Sequence, residues 1–255
     1  MPLKIGVLGV RPGSTASNYA ASLIMSLSKE HSVVAIDGDC AGGNLPLLLG
    51  IKDPDTGLEF FYKNRQKEIN QKDLESQMLQ CNLNDKITVI PGFIERCGPK
   101  TSSLLDSMKN GIENIQKEIV VIDLGSPFHY PELSQIFQEG NAIQHFFDYV
   151  FVVMTDDPVL AGRNIENLRG SRIIEAPKGV GATEFYQEED AKFRLVMMRK
   201  HHKDVSKIII DQLTYHLGPF KVINDWLWND KINDIVNADH FTPLPYNYKE
   251  QLFLQ

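Results

Sequence analysis

The chain has 255 residues, 42% hydrophobic and 23% charged, enough to bury a full core as one large α/β domain. A formal net charge of -7 argues against a chain-wide electrostatic footprint for nucleic acid, so no direct nucleic-acid binding is expected. Cys40, Cys81 and Cys97 are too few and too scattered for a disulfide framework or a dithiol pair, and no apolar run approaches the ~20 residues of a membrane span, which together predict a cytoplasmic protein.

The first predicted strand covers residues 5–10, and the next, 33–36, comes after a stretch in which Tyr19, Leu23, Ile24 and Leu27 repeat at helical spacing. This is a compact strand, loop, helix, strand unit. Further strands are predicted at 87–90, 119–122, 149–154 and 208–210. All are nearly continuous apolar runs, as parallel strands buried on both faces require. The predicted fold is therefore a three-layer α/β arrangement, a mostly parallel twisted sheet with helices on both faces. Asp157 and Pro158 supply a cap and a first helical position for a helix to about Leu168.

Residues 173–206 are longer than a crossover needs and rich in charge, and they read as an insertion within a single domain covering 1–255. Within and just beyond it, Phe193, Val196 and Met197 fall at helical spacing among Lys192, Arg194, Arg199, Lys200, Lys203 and Lys207, which predicts a basic amphipathic helix. A packed helix with a solvated face is the ordinary reading; contact with membrane lipid has no other support. His201 and His202 lack partners at ligand spacing. Trp226 and Trp228, in a helix-period stretch with Ile223, Leu227 and Ile232, suit core packing or a dimer contact.

The loop after the first strand, Gly9-Val10-Arg11-Pro12-Gly13-Ser14-Thr15-Ala16-Ser17-Asn18, stands where a glycine-rich loop would cradle phosphates at a helix N-terminus. Pro12, however, offers no N–H to an anion, and Ala16 offers no charge. A plain strand-to-helix turn with a Ser or Thr cap remains the alternative. The second strand ends Asp37-Gly38-Asp39, followed by Gly42-Gly43-Asn44-Leu45. Carboxylates at i and i+2 at a strand's carboxyl end point the same way, so they can jointly address a divalent cation or a water beside a terminal phosphate. Residues 119–122 lead into Asp123-Leu124-Gly125-Ser126, which reads as a Walker B strand whose aspartate belongs to a metal shell. Any one of these aspartates could instead close a turn.

Taken in this order, the segments resemble the ParA/MinD family of deviant P-loop ATPases, from the first strand to about Leu168 and again at residues 208–210 and 242–247. The resemblance implies ATP and magnesium as cofactors. It places Arg11 at the family's signature lysine, Gly13 at a loop glycine, Ala16 at the missing P-loop lysine and Ser17 at the magnesium-binding hydroxyl. Ser14, Thr15 and Asn18 complete the loop. Asp39 would orient the attacking water and, with Asp37 and Asp123, stand around the metal, and Pro245 would border the adenine. Arg11 is the candidate to replace the lost charge. Within the family, the altered loop and the D-L-G-S segment lean toward the TadZ/CpaE-like pilus-assembly localisation proteins. The implied protein is a homodimer with a protein partner, recruited to a membrane-associated or polar assembly, and slow or inactive in hydrolysis. The rival expectations are a scaffold of the same fold that binds no nucleotide and a dinucleotide binder. The latter is disfavoured because G-x-G-x-x-G is missing from the first loop.

Overall fold

The computed structural model describes residues 1–11, 16–39, 42–52, 54–64, 68–93, 101–126, 146–155, 193–198 and 221–223. In chain order they form β1 (Leu3–Gly9), α1 (Ala16–Leu27), β2 (Val33–Asp37), α2 (Leu45–Leu48), α3 (Leu58–Lys63), α4 (Gln71–Ser76), β3 (Leu79–Gln80), β4 (Ile87–Ile90), α5 (Thr101–Glu113), β5 (Ile119–Asp123), β6 (Tyr149–Thr155), β7 (Phe193–Met198) and β8 (Lys221–Ile223). One sheet takes all eight strands in the order β3-β4-β2-β5-β1-β6-β7-β8. Every pairing is parallel except β3 with β4, so the fold is the mostly parallel α/β sheet predicted.

The strand order determines where a ligand can sit. The connection leaving β1 runs to β2 on one side, and the one leaving β5 runs to β6 on the other, so the carboxyl ends of β1 and β5 flank the topological switch point. Open parallel sheets form their ligand crevice at such a point. The strands beneath it are buried. Both β2 and β5 are buried along their whole length, and Ile5, Val7 and Leu8 of β1 are fully buried. Helix α1 lays Tyr19, Ala20, Leu23, Ile24 and Leu27 on this surface, with the Tyr19 and Phe151 rings 5.4 Å apart at 44°.

Two expectations are corrected. Residues 193–198 are a strand, hydrogen-bonded between β6 and β8, and not part of a basic amphipathic helix. The i, i+3, i+4 spacing of Phe193, Val196 and Met197 fits a helix locally, but Leu195 and Met198 extend it to an apolar run that pairs with β6. Tertiary pairing overrides so short a periodic signal. Ile223 ends β8 and does not begin a helix. The antiparallel β3 has no counterpart among the predicted strands, since two residues are too short to carry a pattern. The helix expected at 157–168, the strand expected at 208–210 and the segment 242–247 lie outside the described residues. Among the described residues, no helix is long and apolar enough to cross a membrane.

Candidate functional site

Three strand exits meet at the switch point. The Gly9 N–H donates to the Gly125 carbonyl at 2.7 Å, Leu124 N–H to the Val7 carbonyl at 2.8 Å, and Gly38 N–H to the Asp123 carbonyl at 2.7 Å. The ladder therefore continues one step past each strand, and it brings Asp37 and Asp123 side by side as register partners of β2 and β5. Helix α1 begins at Ala16 and carries Ser17 and Asn18, both half-buried, on its first turn.

Asp37 and Asp123 are buried alike and used differently. Asp37 is 1% exposed, and its Oδ1 and Oδ2 accept the N–H groups of Asp39 and Leu45, each at 3.2 Å. It closes the turn after β2. Burial, then the Asp123 and Asp39 charges, raise its pKa well above the ordinary value, opposed by those two N–H groups. Asp123 is 0% exposed; its Oδ1 accepts Gly125 N–H at 3.0 Å, while its Oδ2 has no hydrogen-bond partner. Burial pushes its pKa up to about 6, the Ser17 hydroxyl and the Gly125 N–H pull it down, and the Asp39 charge adds to the rise.

An orphaned carboxylate oxygen among mutually repelling acids is a place for a cation. Among the described residues, no group of three or more His, Cys, Asp or Glu side chains has the mutual geometry of a metal centre. Magnesium takes one or two carboxylates and fills the rest of its octahedron with waters and phosphate oxygens. Asp123 with the neighbouring Ser17 hydroxyl fits that demand, and Asp37, with both oxygens committed to the turn, fits it less well.

Of the residues expected from sequence, the structure gathers Ser17, Asp37, Asp39 and Asp123. Arg11, half-buried, lies two residues past the end of β1, and Ala16 is buried in the core at the start of α1. Gly13, Ser14, Thr15 and Pro245 lie outside the described residues. The expected i, i+2 strand geometry of the two aspartates is replaced by a turn: Asp39 lies beyond β2, with its N–H on the Asp37 carboxylate.

The glycines around the acids have no role assigned from sequence. A Cβ on Gly43 would overlap the Asp37 carboxylate, and one on Gly92 would lie 3.0 Å from Asp37 Cγ. Asp37 is thus enclosed on two sides and tethered by two N–H groups. Gly43→Ala is accordingly expected to cost about 1–3 kcal/mol through overpacking, seen as a melting point about 5 °C lower. The only sequence signal for these positions is the run of glycines directly after strand ends.

No protein-family model matches the sequence, and no characterised protein matches it in sequence. Solved structures do match in fold. The cell division ATPase MinD of Pyrococcus furiosus superposes with a TM-score of 0.60 at 15% identity, over 96% of this chain and 91% of that one. The MinC:MinD cell division complex of Aquifex aeolicus matches at 0.59 and 13% identity, over 98% of this chain and 89% of that one. A plasmid partition protein of Borrelia burgdorferi, bound to AMPPNP, matches at 0.56 and 17% identity, over 99% and 98%. The fold is that of the ParA/MinD-type P-loop ATPases.

Proposed function

We propose that this chain is a ParA/MinD-like protein that binds ATP with magnesium at the carboxyl ends of β1, β2 and β5, dimerises, and positions a partner assembly, with slow or absent hydrolysis. The observation that carries this reading is the buried Asp123 carboxylate, with its unpartnered Oδ2 beside Asp37 and Asp39 at the switch point. A divalent cation would relieve the burial and repulsion that hold both pKa values up. The Borrelia neighbour, bound to AMPPNP, supports nucleotide as the ligand class.

In this reading Ser17 and Asp123 hold magnesium, with Asp37 behind them closing the turn, and Asp39 orients a water against the terminal phosphate. Arg11, Gly13, Ser14, Thr15, Ala16, Ser17 and Asn18 surround the phosphates, and Pro245 borders the adenine. Magnesium, when bound, supplies neutralisation of phosphate charge. Arg11 provides the cation that Ala16 lacks. The partner is another protein, as MinC is in the Aquifex complex, and a pilus or secretion assembly at a membrane or cell pole is the preferred target of a cytoplasmic homodimer.

The test is isothermal titration of nucleotide-free protein with ATP and ADP, with and without magnesium. Losing a charge-assisted contact costs about 1.5–3 kcal/mol, so Arg11→Ala is expected to weaken ATP about ten- to a hundredfold. A second reading, a scaffold that binds no nucleotide, is favoured by the buried, uncharged Ala16 at the head of α1. Failure to bind ATP at millimolar concentration would establish it.

A further inference from the structure

Gly125 stands where the three strand exits converge. Its carbonyl accepts the Gly9 N–H at 2.7 Å, and its own N–H donates to Asp123 Oδ1 at 3.0 Å. Its remaining face is taken by the half-buried Asp39. A Cβ there would overlap Asp39 Cγ and lie 2.5 and 2.6 Å from Asp39 Oδ2 and Oδ1. The backbone at Gly125 has φ +60°, a left-handed conformation that glycine adopts without steric cost. The conformation and the missing side chain are separate requirements. An asparagine can adopt that φ, but only glycine leaves the face bare for a carboxylate.

We infer that Gly125 is a positioning residue for Asp39: its bare face is the surface on which the Asp39 carboxylate rests, locking the turn after β2 to the exits of β1 and β5. This rests on the reading that Asp39 serves a magnesium-nucleotide site, and it assigns to Gly125 the task of holding that carboxylate there. The neighbouring acids explain why such a support is needed. Asp37 and Asp123 both repel Asp39, so packing that confines the carboxylate favours its place near them. The Asp39 N–H on Asp37 Oδ1 confines the backbone from one side, and Gly125 confines the carboxylate from the other.

The test is a double-mutant cycle of Gly125→Ala and Asp39→Ala, read first by thermal melting without ligand. The cost of the left-handed backbone is common to both backgrounds and cancels, leaving only the contact between the two positions. Gly125→Ala is expected to lower the melting point by about 6 °C in the native background and by about 3 °C or less beside Asp39→Ala. If Gly125→Ala alone fails to fold, the double variant is expected to fold, with native circular dichroism; failure of both overturns the proposal. Equal shifts in the two backgrounds would likewise overturn it. The second readout is magnesium-dependent ATP binding, in which Gly125→Ala should reproduce the loss caused by Asp39→Ala, with no further loss in the double variant. Additive losses would count against the positioning role. Thermal coupling in a native protein that binds no ATP would keep the contact and overturn the nucleotide reading instead.

Discussion

Asp123→Asn is expected to melt higher than the native protein above pH 6 and, at the same time, to lose the magnesium-dependent part of ATP binding. The carboxyl's pKa rises from 3.8 to about 6 on folding, chiefly because burial penalises the charged form. The folded chain therefore holds that proton more tightly than the unfolded one. Ionising Asp123 costs nothing below about pH 4; the cost grows as pH rises through 6 and is full above it. That rise corresponds to about 3 kcal/mol. The amide replaces the orphaned oxygen with a buried N–H that lacks a partner, which returns about 1 kcal/mol. The net gain of about 2 kcal/mol should raise the melting point about 5 °C at pH 7.5, vanish as the pH falls below about 5, and give way to a deficit approaching about 1 kcal/mol below pH 4. Melting curves across that range, with and without magnesium and ATP, check both halves. In the native protein the ligands should stabilise by mass action; in Asp123→Asn they should do so far less. An unchanged magnesium response would remove Asp123 from the metal site.

The contrast with Asp37 shows why the site was only partly legible in sequence. Both aspartates end an apolar strand, and sequence alone gives them the same standing. The distinction comes from what closes around them: Leu45 N–H and Asp39 N–H reach Asp37, whereas Asp123 Oδ2 is left open. Those contacts depend on the turn after β2 folding back over the sheet, which no local pattern encodes. Side-by-side placement of Asp37 and Asp123 depends in turn on β5 entering between β1 and β2, a long-range pairing. Strand existence was easier to read. Residues 87–90 are strand β4 as predicted, and β5 adds only Asp123 to the predicted run, because a strand buried on both faces leaves a continuous apolar signature. Strand β7 failed that reading because Arg194 interrupts the run and flanking lysines and arginines imitate a polar helix face. Gly125 was visible only as a letter in a motif; its φ and the carboxylate resting on it required the fold.

Phe151→Ala is expected to have the largest effect of any single core truncation near the site, and its consequence should reach the nucleotide. Register aligns Phe151 of β6 with Val7 of β1, Val7 with Asp123 of β5, and Asp123 with Asp37 of β2, so one row of partners runs across four strands. Paired residues of adjacent parallel strands project to the same face, and here that face is covered by α1, whose Tyr19 stacks on Phe151. Phe151 is 0% exposed, and truncation there should cost about 3–5 kcal/mol, or about 10 °C of melting point. The cavity would open under the first turns of α1, the helix that holds Ser17 beside Asp123. Magnesium-dependent ATP binding should therefore weaken along with stability. Phe147 supplies the control. It is equally buried, but it packs against Gly6, which alternates with Val7 and so faces the other side of β1. Phe147→Ala should lower the melting point comparably and leave ATP affinity unchanged at temperatures where the protein is folded. If both truncations weaken ATP equally, α1 docking does not set the site, and the coupling between core and ligand is a matter of global stability.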